Sequence, residues 1–153
     1  MKYLKLIILS SILFISINYS YGQDRGFGLG IMIGEPTGIN GKGWLTHRSA
    51  IDAGLAWSLV HRTSLHIHVD YLMHSFNVFP QAERLPLYYG IGGRIRTNEG
   101  HNTQLGLRMV GGIEYMFASA PFDIFFEIAP ILDLTPKTEL NMNAGIGARF
   151  YFK

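Results

Sequence analysis

The side chains best equipped for chemistry crowd into one short segment. From Ser64 to Phe76 the sequence reads SLHIHVDYLMHSF, with His66, His68, Asp70 and His74 at alternating positions and Leu65, Ile67, Val69, Tyr71 and Met73 between them. Imidazole and carboxylate are ligands for divalent metals, and imidazole is also the side chain that titrates near neutrality. In an extended chain, same-face neighbours stand about 6.6–7 Å apart, whereas metal–ligand bonds are about 2 Å long. Adjacent members of this set cannot easily both reach one ion, so a metal site would need a partner from a neighbouring strand. The expectation is instead a group of interior histidines hydrogen-bonded to acids such as Asp52 or Asp70, with no metal or cofactor. Such an interior would respond to pH.

Acyl chemistry would require Ser, His and an acid within mutual reach. His74-Ser75 is the nearest pair, yet adjacent residues of a strand point to opposite faces. No catalytic residue is expected, and the chain is read as a non-enzyme. Gly26 to Gly34, GFGLGIMIG, has the glycine spacing of a dinucleotide-binding turn, but that motif needs a helix after it. Here Glu35-Pro36-Thr37-Gly38 follows, a turn leading to another strand. Glycine at every second residue fits the inner face of a tightly curved strand.

The two-residue period that organises the His-rich segment runs through the rest of the chain. Strands are expected at Gly26–Gly34, about Gly38–Leu45, Ala50–Leu59, Ser64–Phe76, Pro86–Thr97, Thr103–Phe117, Phe122–Leu134 and Glu139–Phe152. Pro130, on the apolar face of the seventh, is expected to mark a bend or bulge. The longest connections, Asn77–Arg84 and Asn98–Asn102, offer little surface for a protein partner.

Charge decides which face is inside. On the seven more regular strands the apolar face carries no Asp, Glu, Lys or Arg. The opposite face carries Asp52, Asp70, Glu114, Asp123, Glu127 and Asp133 together with Arg94, Arg96, Arg108 and Arg149, joined by Lys42 from the second strand. With His66, His68 and His74 these form a candidate polar network. An even count of short strands, apolar on one side, predicts an all-β, eight-stranded antiparallel up-and-down transmembrane β-barrel. A barrel of this size is just filled by its own side chains, so the lumen is expected to be a plugged set of paired ions. Trp44, Tyr71, Tyr115, Phe117, Phe122, Phe150 and Phe152 are expected to form an interfacial aromatic girdle.

Two other readings use the same strands. A soluble periplasmic lipocalin-like barrel would turn the apolar face inward around a small apolar ligand; its wet exterior would be expected to recruit Lys and Glu, which are scarce on these strands. A lipid-modifying outer-membrane enzyme would need the Ser–His pairing that the strand pattern does not supply.

The first residues read as a targeting segment. Lys2 and Lys5, the apolar run Leu6–Ile17 and Ser20-Tyr21-Gly22 match a secretory signal peptide, placing residues 1–22 outside the folded domain at 23–153. The run is shorter than the ~20 residues a spanning helix needs. Without cysteine there is neither a disulfide framework nor an acylation site of the lipoprotein kind. A formal charge of +2 with no basic run gives no electrostatic case for nucleic acid. The expected partners are outer-membrane lipids and, during biogenesis, the barrel assembly machinery, with a monomer favoured.

The runs GEPTGINGKGWL, HIHVDYLMHSF, LPLYYGIGGR and GIGARFYF resemble an uncharacterised family of small eight-stranded bacterial outer-membrane β-barrel proteins, over about Gly26 to Phe152. The resemblance implies an outer-membrane barrel and contributes no catalytic residue. The closing aromatics resemble the terminal signal read by the assembly machinery, with Lys153 after Phe152 as a departure.

Overall fold

A computed structural model describes residues 26–58, 64–98 and 103–152. The expected signal peptide at 1–22, residue 59 at the end of the third expected strand with the 60–63 connection after it, and most of the Asn98–Asn102 loop lie outside these residues. Eight strands follow one another in the described chain: β1 (Phe27–Glu35), β2 (Thr37–Trp44), β3 (Ser49–Ser58), β4 (Ser64–Ser75), β5 (Leu87–Asn98), β6 (Thr103–Met116), β7 (Phe122–Thr135) and β8 (Glu139–Phe152). Each pairs antiparallel with the next, and β1 pairs with β8, so the sheet is a closed up-and-down barrel with no free edge.

Alternation sets which side chain goes where. In β4 the inward positions Ser64, His66, His68, Asp70, Leu72 and His74 are buried, while Leu65, Ile67, Val69 and Tyr71 are exposed. The same pattern repeats around the barrel and leaves an outer wall of Leu, Ile, Phe, Tyr and Met, from Leu55 at 39 % exposure to Leu140 at 77 %. The one charged residue at an outward position of the described strands is Glu35, the last residue of β1.

Strand parity puts connections 45–48, 76–86 and 117–121 at the end of the barrel where β1 begins and β8 finishes. The longest of them, 76–86, is tied to β6 beyond the regular strand. Glu114 N–H donates to the Pro86 carbonyl at 3.1 Å, Met116 N–H to the Arg84 carbonyl at 2.9 Å, and the Arg84 guanidinium to the Phe117 carbonyl at 3.2 Å.

The inward glycines make room for their neighbours. Gly54 stands opposite His68, Gly92 opposite Asp70, Gly112 opposite Tyr88 and Gly147 opposite Phe125. A Cβ on Gly54 would lie 2.2 Å from His68 Cε1, and one on Gly92 would lie 2.1 Å from Asp70 Oδ1. The large side chain of one strand thus lies flat over the bare backbone of the next. At Gly30 the limit is backbone: its Cβ would fall 1.9 Å from the Ala148 carbonyl oxygen, so β1 and β8 approach too closely for any side chain.

Two expectations are corrected. Trp44 does not join the outer girdle. It follows Asn40 and Lys42 on the inward parity of β2, its ring 4.2 Å from Lys42 Nζ and 4.3 Å from the His74 ring. Tyr71, Tyr115, Phe117, Phe122, Phe150 and Phe152 do face outward. Pro130 makes no bulge either: the β7–β8 register runs straight through the Pro130–Met142 pair. Toward β6 the paired positions skip from Arg108–Ile131 to Gly111–Ile128, so the missing N–H of proline weakens the ladder locally without shifting it. The register shift lies instead at Leu105/Gly106, where Leu105 pairs with Thr135 and Gly106 with Asp133. Leu134 is the extra residue, and the bulge keeps Asp133 aimed inward.

Candidate functional site

The interior is a set of buried ion-pair clusters. One centre is Arg149 on β8, whose Nε lies 3.1 Å from both Asp123 carboxylate oxygens. Its Nη1 donates to Asp52 Oδ2 at 2.8 Å and to Asn40 Oδ1 at 3.2 Å, and its Nη2 to Glu114 Oε2 at 3.3 Å. The guanidinium carbon sits 4.1 Å from the Phe125 ring centroid. One fully buried cation therefore holds carboxylates from β3, β6 and β7, while Tyr151 Oη donates to Asp123 Oδ2 at 2.7 Å.

A second centre is Arg108 on β6. Its Nε donates to Asp70 Oδ1 and Oδ2 at 3.2 and 3.1 Å, and its Nη2 to Glu127 Oε1 at 2.6 Å. Tyr88 Oη donates to the other Glu127 oxygen at 3.2 Å. Toward the end away from the barrel termini, Arg94 makes a forked pair with Asp133, at 3.0 and 2.5 Å, and Asn141 Nδ2 donates to the same carboxylate at 2.7 Å. Toward the terminal end, Lys42 pairs with Glu114 and lies 2.8 Å from His74 Nε2.

Buried ions are tolerated only when paired and hydrogen-bonded, and this set is. Asp52, Asp70, Glu114, Asp123, Glu127, Asp133, Arg94, Arg108 and Arg149 are all buried, each with a charged partner. Arg96 differs: it is only half-buried and donates to Ser64 Oγ at 3.2 Å instead of meeting an acid.

The four members of the opening segment do not form one site. His74 sits at the terminal end with Lys42, Glu114, the Trp44 ring and the Arg48 carbonyl, 3.2 Å from its Nδ1. Ser75 points the other way, so the Ser–His pair is not assembled. His66 stacks edge-on against His68, ring centroids 5.4 Å apart, and its Nε2 has no hydrogen-bond partner. His68 instead joins Asp70 and, across the sheet, Asp52, with ligand-capable atoms of all three within 4.8 Å of one another.

The fold has a counterpart among solved structures. It resembles the crystal structure of the N-terminal β-barrel domain of Pseudomonas aeruginosa OprF. The two share a TM-score of 0.64 at 16% sequence identity, over 86% of this chain and 100% of that one. At that identity the likeness shows the eight-stranded barrel and nothing about the interior residues. No family model and no curated protein matches the chain.

Asn40, Tyr88, Tyr151, Ser64 and Asn141 are network members that the charge pattern alone passes over. Their signal lies in parity: each occupies an inward position, but an aromatic or amide there announces its role less plainly than a charge does.

Proposed function

We propose that this chain is a small exported barrel of the bacterial outer membrane, with a structural or membrane-integrity role and a lumen closed by its own ion pairs. It would belong with the small outer-membrane barrels that its sequence segments resemble. The observation that carries this reading is the inversion of the usual globular pattern. Arg108, Arg149, Lys42, Glu114, Asp52 and Asp123 are at most 1 % exposed, while Ile33, Tyr89, Ile91, Met109, Leu140 and Met142 are each more than 59 % exposed. Soluble monomers rarely expose contiguous apolar patches above a few hundred Å², and here the apolar surface encircles the barrel. Acyl chains are the medium that accepts such a wall, with the closed hydrogen-bonded sheet satisfying every strand edge.

In this arrangement the barrel termini and the 76–86 connection face the periplasm. The surrounding lipid and the assembly machinery are the partners. The soluble ligand-binding alternative needs a continuous apolar lumen, whereas the apolar cluster here, Met32, Leu72, Val110, Phe125 and Ala129, is flanked by buried guanidiniums and carboxylates. Small-solute passage would require water to replace ion pairs that fill the bore. In planar lipid bilayers the chain is expected to give no sustained conductance of wide-pore size at neutral pH. A steady open-channel current from a homogeneous preparation would contradict the plugged lumen.

A further inference from the structure

We propose that Asp52, His68 and Asp70 form a binding site for one divalent transition-metal ion of the zinc class inside the barrel. This inference rests on the interior alone and is independent of what surrounds the outer wall.

Two carboxylates face each other here on adjacent strands, since Asp52 and Asp70 are direct cross-strand partners. Like charges so placed repel. The imidazole of His68 reaches the same spot, its Nε2 3.7 Å from Asp52 Oδ1 and 4.0 Å from Asp70 Oδ2. It is 1 % exposed, and neither ring nitrogen makes a hydrogen bond. An unsatisfied buried imidazole costs free energy, yet this one is firmly placed. It lies over Gly54, where any Cβ would strike the ring, while Asp70 lies over Gly92 in the same manner.

The spacing suits an ion. Ligands about 2 Å from a tetrahedral centre stand somewhat over 3 Å from one another, so from separations within 4.8 Å side-chain movements of up to about 1 Å would close these three around it. The fourth position would be left to water. Each carboxylate is already held by hydrogen bonds, Asp52 by Arg149 and Asn40, Asp70 by Arg108. Such outer-shell hydrogen bonds are what a metal site uses to hold its ligands.

Charge points the same way. Six buried carboxylates, Asp52, Asp70, Glu114, Asp123, Glu127 and Asp133, face four buried cations, Lys42, Arg94, Arg108 and Arg149. The half-buried Arg96 is turned to Ser64. A divalent ion between Asp52 and Asp70 supplies the two missing positive charges at the point where the acids meet. One nitrogen with two carboxylate oxygens favours zinc-like ions over magnesium or calcium, which prefer all-oxygen shells.

The test refolds the chain from Gln23 into detergent in the presence of zinc, cobalt, magnesium or calcium, removes free ions, and measures metal per folded chain. The proposal expects one retained zinc, little magnesium or calcium, and a rise in the urea midpoint with zinc. His68→Gln should lose retention by more than the about 10–100-fold that follows loss of an outer-shell partner, while His66→Gln should keep it. Should His68→Gln fail to fold, the visible spectrum of the cobalt-loaded native chain decides, because a four-coordinate nitrogen–oxygen site absorbs far more strongly than a hydrated ion. No zinc on the folded native chain, equal retention by His68→Gln, magnesium held as well as zinc, or a six-coordinate cobalt spectrum would each overturn it.

Discussion

Replacing Arg149 with Met is expected to cost the barrel more stability than any other single change in its interior. That one guanidinium serves Asp123, Asp52 and Glu114 at 2.8–3.3 Å in a space with no access to water. Removing one partner of a buried ion pair costs about 3–5 kcal/mol because it strands the other charge, and here Asp123 and Asp52 lose their guanidinium together, keeping only the neutral donors Tyr151 and Asn40, while Glu114 is left with Lys42 alone. The urea midpoint of the refolded chain, followed by heat-modifiable gel mobility, should fall steeply or the folded band should vanish. Arg149→Lys should lie between the two, since it restores the charge without the planar fork that reaches three acids at once. A native midpoint for Arg149→Met would mean that the network contributes nothing to holding the barrel closed.

The second large effect is on the outside. Ile91 lies in the middle of β5, between Tyr71 and Met109 on the flanking strands, and is 60 % exposed. With this wall set against acyl chains, as proposed, Ile91→Arg is expected to cost about 2–4 kcal/mol in lipid vesicles, whereas Thr97→Arg, near the end of the same strand, should cost about 0–1 kcal/mol. Had the same wall faced water, both changes would fall within about 0.5 kcal/mol. Equal urea midpoints for the two variants in lipid would contradict the assignment of this face.

Much of the architecture was legible because a barrel strand carries its instructions locally. Alternation in β4 sorts His66, His68, Asp70 and His74 from Leu65, Ile67, Val69 and Tyr71, and repeats of that pattern separated by turn residues fix the number of strands. The interior pairings were not legible. Whether Asp123 meets Arg149 or Arg94 depends on register between β7 and β8, which no single strand encodes. Trp44 shows the limit of reading by residue type: its parity with Lys42 placed it inside, while its aromatic character suggested an interface. Pro130 shows another. A bend was expected at the proline, but the bulge formed at Leu105/Gly106, where Gly106 has no side chain to resist the Asp133 carboxylate. The metal reading turned on the same non-local information. Spacing within β4 pointed away from pairing its adjacent members on one ion and toward a neighbouring strand; the side chains of His68 and Asp70 nevertheless lean together, to 4.0 Å, and the β3–β4 register brings Asp52 to both.

The direction in which the two faces point is tested most directly by asking what medium the chain from Gln23 needs in order to fold. Refolding is followed side by side in plain buffer, in detergent micelles and in lipid vesicles, with heat-modifiable gel mobility and light scattering as readouts. The orientation described here predicts a compact, heat-modifiable species only in micelles and vesicles, with aggregation in buffer. A monodisperse, folded monomer in buffer without any amphiphile would contradict it.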